Sequence, residues 1–130
     1  NKLAEKLSII IDINTAKKKY NLGFYEKLIE NKELINEEWI KVEELIDSVI
    51  SASKNNVKKY DLGYSNLFVV DLDPIYKETK FTARGKMLDM LFANYKKQDK
   101  TKKQNIIGVG YTNTGIMFRI DEKVPKGKEE

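Results

Sequence analysis

The sequence predicts an α+β domain, with N-terminal helices packed on a small three-stranded antiparallel sheet that ends in a C-terminal β-hairpin. Three features carry this expectation. Apolar residues recur at helical spacing in the first half of the chain, as in Ile35, Trp39, Val42, Ile46 and Val49. The pattern switches to a period of two over 67–72, where Phe68, Val70 and Leu72 alternate with Leu67, Val69 and Asp71. The last third holds a glycine-bearing stretch, 106–121, with the turn residues Asn113-Thr114-Gly115 at its centre. A chain of 130 residues with 41% hydrophobic and 34% charged residues is long enough and apolar enough to bury one core. Residues 1–123 read as a single domain and 124–130 as a charged flexible tail.

The elements follow in order. Residues 2–19 read as a helix, with Leu3, Leu7, Ile10 and Ile11 on one stripe and Ile13 off it. Residues 24–34 read as a shorter helix, and 36–57 as the longest, with Asn36 as its N-cap and Glu37 and Glu38 in the first turn. The segment Lys18-Lys19-Tyr20-Asn21-Leu22-Gly23-Phe24 recurs as Lys58-Lys59-Tyr60-Asp61-Leu62-Gly63-Tyr64. Its lysines and glycine suit a helix C-terminus used twice, with the glycine left-handed. After the strand at 67–72, Asp73 caps a short helical turn over 74–78 that begins with Pro74. Thr82 caps a helix over 83–97 whose stripe is Met87, Leu88, Leu91, Phe92 and Tyr95. A lysine-rich connector, 98–104, leads to the hairpin. A three-residue loop, Asn113 to Gly115, would pair Gly110 with Phe118 and Gly108 with Ile120, each large side chain covering a glycine. The expected core includes Trp39, Val42, Ile46, Phe68, Val70, Leu88, Leu91 and Phe118.

Cysteine and histidine are both absent. That closes off disulfides, thiolate metal sites, Ser-His-Asp and Cys-His nucleophile systems, and zinc or haem sites of ordinary type. No cofactor is expected, and the chain reads as non-catalytic. No apolar run approaches the ~18 residues of a membrane span, so a cytoplasmic protein without a membrane partner is expected. The chain opens on Asn1, which reads as a trimmed or excised piece and leaves a removed leader open.

Charge is distributed unevenly. Residues 26–47 hold eight acids and three lysines, whereas 77–104 hold nine bases and three acids, in a chain of net charge +4. The basic segment suggests an anionic partner, and the order of helix, strand, short helix, basic helix and hairpin is that of a winged helix. The first functional expectation is therefore a low-specificity nucleic-acid-binding domain of a replication, partition or regulatory system. Its contacts would be Lys77, Lys80, Arg84, Lys86, Lys96, Lys97, Lys100, Lys102, Lys103 and, at the wing tip, Asn113. The second is a protein-interaction or adaptor module in which Ile35, Trp39, Val42 and Ile46, on the helix at 35–50, meet a partner helix or a second copy. The third is a Mg²⁺-dependent nuclease. Asp71 and Asp73 alternate on a strand and so share one face, while capping geometry explains the same pair without a metal.

Overall fold

The computed structural model describes residues 2–16, 22–101 and 105–122. Helices α1 (Lys2–Ala16), α2 (Leu22–Glu30) and α3 (Lys32–Ser53) are followed by strands β1 (Val57–Asp61) and β2 (Ser65–Asp71). Helices α4 (Asp73–Thr79) and α5 (Arg84–Gln98) and strands β3 (Asn105–Tyr111) and β4 (Ile116–Glu122) complete the fold. The class is α+β, as expected. The sheet has four strands in the order β1-β2-β3-β4 rather than three, and it is mixed rather than antiparallel. Both outer pairs are antiparallel, while β2 and β3 run parallel. A parallel pair needs a crossover, and α4 with α5 supplies it. The elements follow one another as in a winged helix, but the basic helix is a crossover packed on a sheet.

α3 starts earlier than its apolar stripe suggests. Asn31, not Asn36, is the N-cap, and its Oδ1 accepts from the N–H groups of Glu33 at 3.0 Å and Leu34 at 3.3 Å. The helix stops at Ser53, where Ser53 Oγ donates to the Ile50 carbonyl and Asn56 Nδ2 to that of Ala52. The chain is thereby freed to enter β1, a strand hidden in a segment whose lysines and glycine resemble a helix end. Gly63 does adopt a left-handed φ of 90°, but in the β1–β2 turn. There Leu62 N–H donates to the Ser65 carbonyl and Gly63 N–H to Asp61 Oδ1. The earlier copy of the motif opens α2 at Leu22 and Gly23 instead of closing a helix, and its Lys18–Asn21 part lies outside the described residues.

The helices cover one face of the sheet. Phe68 and Val70 from β2 and Leu72 just after it are buried with Ile75, Met87, Leu88 and Leu91 from α4 and α5. α3 packs against α4 and α5 on one side and α1 and α2 on the other, contributing Ile35, Val42 and Val49. Ile13 of α1 is buried along with Ile10, so it belongs to the stripe after all. Close approach of α5 depends on the β3 glycines. A Cβ on Gly108 would stand 2.6 Å from Phe68 Cζ and 2.8 Å from Phe92 Cδ1, and one on Gly110 would stand 2.9 Å from Leu72 Cδ1.

Three local expectations change. Leu72 occupies the N-cap of α4, and Asp71 Oδ1 accepts from Asp73 N–H, a job the sequence assigned to Asp73. Ala83, not Thr82, is the N-cap of α5. The β3–β4 loop is one residue tighter than expected. Thr112 N–H donates to the Gly115 carbonyl, and Thr112 Oγ1 accepts from Thr114 and Gly115 N–H. Gly115 is not left-handed, and Gly108 pairs with Arg119, Gly110 with Met117 and Val109 with Phe118. A one-residue change of register moves every side chain of a strand to the other face. Phe118, expected in the core, lies on the uncovered side.

Candidate interaction surface

Two surfaces compete for a functional reading: the basic crossover and the uncovered sheet face. The crossover is the more neutralised. Lys86 Nζ lies 2.7 Å from Asp12 Oδ2 on α1. Lys96 Nζ lies 3.3 Å from Asp121 Oδ2 on β4. Arg84 lies 3.8 Å from Asp73 and stacks 4.0 Å from the Tyr76 ring centroid. Arg119 Nε meets Asp89 Oδ1 at 2.6 Å, so Asp89 of α5 also closes onto β4. The Asp12 hydrogen bond raises the Lys86 ammonium above its ordinary value and keeps it protonated.

The remaining described cations of the segment fall in two pairs. Lys77 and Lys80 are exposed at the end of α4, and Lys97 and Lys100 at the far end of α5. Arg84 and Lys96 stand about 18 Å apart along the axis of α5, more than one Debye length of ~8–10 Å at physiological salt. Lys102 and Lys103 lie outside the described residues. Asn113 is exposed at the hairpin tip, where its N–H donates to Asp73 Oδ2 at 2.8 Å. That contact, with Arg84, occupies the Asp73 carboxylate, while Asp71 caps α4. Among the described residues no group of three or more acidic side chains is placed to hold a metal ion.

The stripe proposed for a partner helix is used internally. Ile35 and Val42 are buried in the chain's own core, and Trp39 and Ile46 are half-buried against it. Ile40, on another face of the same helix, stays 56% exposed.

The opposite face of the sheet is apolar and uncovered by any described element. The strand registers set its mostly apolar side chains in three rows, beyond which the polar positions Ser65, Asn105 and Glu122 form a fourth. Ile120, Ile107, Leu67 and Tyr60 form the first, Phe118, Val109, Val69 and Lys58 the second, and Ile116, Tyr111 and Asp71 the third. Ile116 is 76% exposed, Phe118 61%, Ile120 49%, Tyr60 46% and Tyr111 40%. Leu62 and Tyr64 extend the surface past the β1–β2 turn, also exposed. Lys58 and Asp71 are the charged side chains in the three rows. Period-two alternation in 67–72 and 106–111 was legible in the sequence. What the sequence concealed is that only one of the two apolar faces is covered.

A smaller cleft of about 200 Å³ opens between the end of α3, β1 and α5, floored by Ile50, Phe68 and Leu91 and bordered by Tyr95. Burial there, with Asp99 and Asp61 nearby, raises the Tyr95 phenol above its ordinary value.

No protein-family model and no curated protein matches the chain. A solved structure described as a member of the s1p family of ribosomal proteins, DHH domain, is similar in fold, with a TM-score of 0.68 and 19% identity. The match covers 82% of this chain and 26% of that one, so the present chain corresponds to about a quarter of that protein. No helix among the described residues is long and apolar enough to cross a membrane.

Proposed function

We propose that this chain is a non-catalytic protein-docking domain whose working surface is the uncovered face of the β-sheet. One observation carries the reading: five large apolar side chains on three strands are 40–76% exposed on a single face. With about 180 Å² per large side chain, these exposures amount to about 500 Å². That is the size of the largest apolar patch on an ordinary monomer, and such patches are where partners bind. The sparse charge of the face argues for a protein partner over nucleic acid, since phosphate contacts need Lys or Arg.

The test is an apolar dye, anilinonaphthalene sulfonate, titrated into dilute protein. We expect enhanced fluorescence that Phe118→Lys removes while circular dichroism stays unchanged. Equal fluorescence in the two proteins would overturn the reading.

A second reading, low-specificity nucleic-acid binding, draws support from Lys97 and Lys100, exposed where α5 runs into the lysine-rich connector. It predicts duplex binding at low salt that weakens as salt is raised, and Lys97→Glu with Lys100→Glu should abolish it. No binding at low salt would end that reading.

A further inference from the structure

The docking reading leaves open what covers the sheet, and the layout of its rows points to one occupant. We infer that two copies of this chain pack sheet on sheet about a two-fold axis. The axis runs along the strands, midway between β2 and β3, in the plane between the two sheets. This inference rests on the docking reading and names its partner.

Rotation about an axis parallel to the strands preserves strand direction, so the two sheets stack in the aligned manner, their strands crossing at about 30°. β1 of one copy then lies over β4 of the other, and β2 over β3. Row by row, Tyr60 meets Ile120, Leu67 meets Ile107 and Val69 meets Val109 of the second copy. Four strands alternating inward and outward on each side would enclose a new apolar layer about 10 Å thick.

The two charges suit the same arrangement. Lys58 lies at the β1 edge in the row of Phe118, so its ammonium faces the Phe118 ring of the second copy, a cation–π geometry. Asp71 lies in the row of Tyr111, so its carboxylate faces a phenol hydroxyl able to donate to it. The two Lys58 side chains fall on opposite edges of the sandwich, about 14 Å apart at ~4.8 Å per strand. No like charges meet. An axis across the strands through the row of Lys58 would instead place the two Lys58 side chains against each other.

The area is sufficient. Two faces of about 500 Å² remove about 1,000 Å² of apolar side chain from water, the lower bound for a specific interface. Leu62, Tyr64 and the half-buried central residues add to it. For an interface near that bound we expect dissociation on dilution.

Sedimentation equilibrium with charge-swapped variants tests the inference. The wild type should be dimeric at about 0.5 mM and dissociate on dilution. Phe118→Lys sets lysine against Lys58 of the second copy and should weaken the dimer about 100-fold with the fold intact by circular dichroism. Phe118→Glu should weaken it less, and Lys58→Glu combined with Phe118→Lys should restore it. A monomeric wild type at about 0.5 mM, or failure of the double variant to recover, overturns the inference. Dye binding separates the two levels of the argument. A monomer whose dye fluorescence is lost in Phe118→Lys keeps the docking face and loses the second copy as its occupant. A monomer whose fluorescence does not depend on Phe118 loses both.

Discussion

Replacing Gly108 by alanine should destabilise the fold more than the same change at either of the other two glycines of the hairpin. The new methyl would sit 2.6 and 2.7 Å from the Phe68 ring and 2.8 Å from Phe92. Phe68 is 1% exposed and lies between β3 and α5, with the tilted Tyr95 ring 4.9 Å away, so its ring moves only by disturbing its neighbours. Overpacking of this kind costs about 1–3 kcal/mol, and relief of glycine's chain entropy returns about 0.5–1 kcal/mol. The net loss is then centred on about 1 kcal/mol. At Gly110 the neighbours are the methyl ends of Leu72 and Leu88, at 2.9 and 3.2 Å, which turn aside more easily, so the loss should be smaller. At Gly115 no atom lies within 4 Å and φ is not positive, so alanine should be neutral or stabilise by up to about 0.5 kcal/mol. Urea unfolding with a common m-value measures all three. Phe68→Leu should make Gly108→Ala less costly by about 1 kcal/mol in a double-mutant cycle. A Gly108→Ala protein as stable as the wild type, or a cycle with no coupling, would refute the claim that these glycines let the helical layer close on the sheet.

Other expectations follow from single contacts. Lys80 ends α4 with a φ of 62°, a conformation disfavoured for a residue with a Cβ, so Lys80→Gly should raise stability by about 0.5–1 kcal/mol in urea while Lys80→Ala does not. Asn66 is 6% exposed, and its Nδ2 donates to Thr101 Oγ1 at 2.7 Å and Asp99 Oδ2 at 3.2 Å, tying the end of α5 to β2. Asn66→Ala should cost about 1–3 kcal/mol and accelerate amide exchange around Asp99, and an unchanged urea midpoint would contradict this. Tyr95, raised from 10.0 by burial, and Lys86, raised from 10.5 by its hydrogen bond to Asp12, both hold their protons more tightly folded than unfolded. Their contribution is complete below the unfolded values and lost as pH climbs through the folded ones, so thermal stability should decline above about pH 10. Tyr95→Phe should make that decline shallower, and parallel pH profiles for the two proteins would exclude Tyr95 as a contributor.

Much of this architecture is written in local pattern. The period of two in β2 assigned Phe68, Val70 and Leu72 to one face, and that face is buried. The stripe of α5 and its bounds were readable to within a residue, because helix periodicity over fifteen positions is a strong signal. β1 was not readable. The lysines and aspartate of Lys58-Lys59-Tyr60-Asp61 disfavour a strand, and the segment is extended because it pairs with β2, five to thirteen residues away along the rungs of the ladder. The Asn113-Thr114-Gly115 loop was expected in a three-residue register, and Thr112 Oγ1 holds the tighter one through two N–H groups. Phe118 and its neighbours consequently moved from the core to the surface. The basic segment was legible as a count of charges, whereas the pairing of Arg84, Lys86 and Lys96 with Asp73, Asp12 and Asp121 was not.

The sequence by itself determined the class of fold, the residues able to form a core and the chemistry ruled out by the absence of cysteine and histidine. Those properties follow from composition and short-range periodicity. Tertiary structure alone decided which apolar face of the sheet the helices cover and which cations are matched by acids. Each of these depends on how strands pair and in what register, and pairing is an agreement between distant segments that neither segment carries alone.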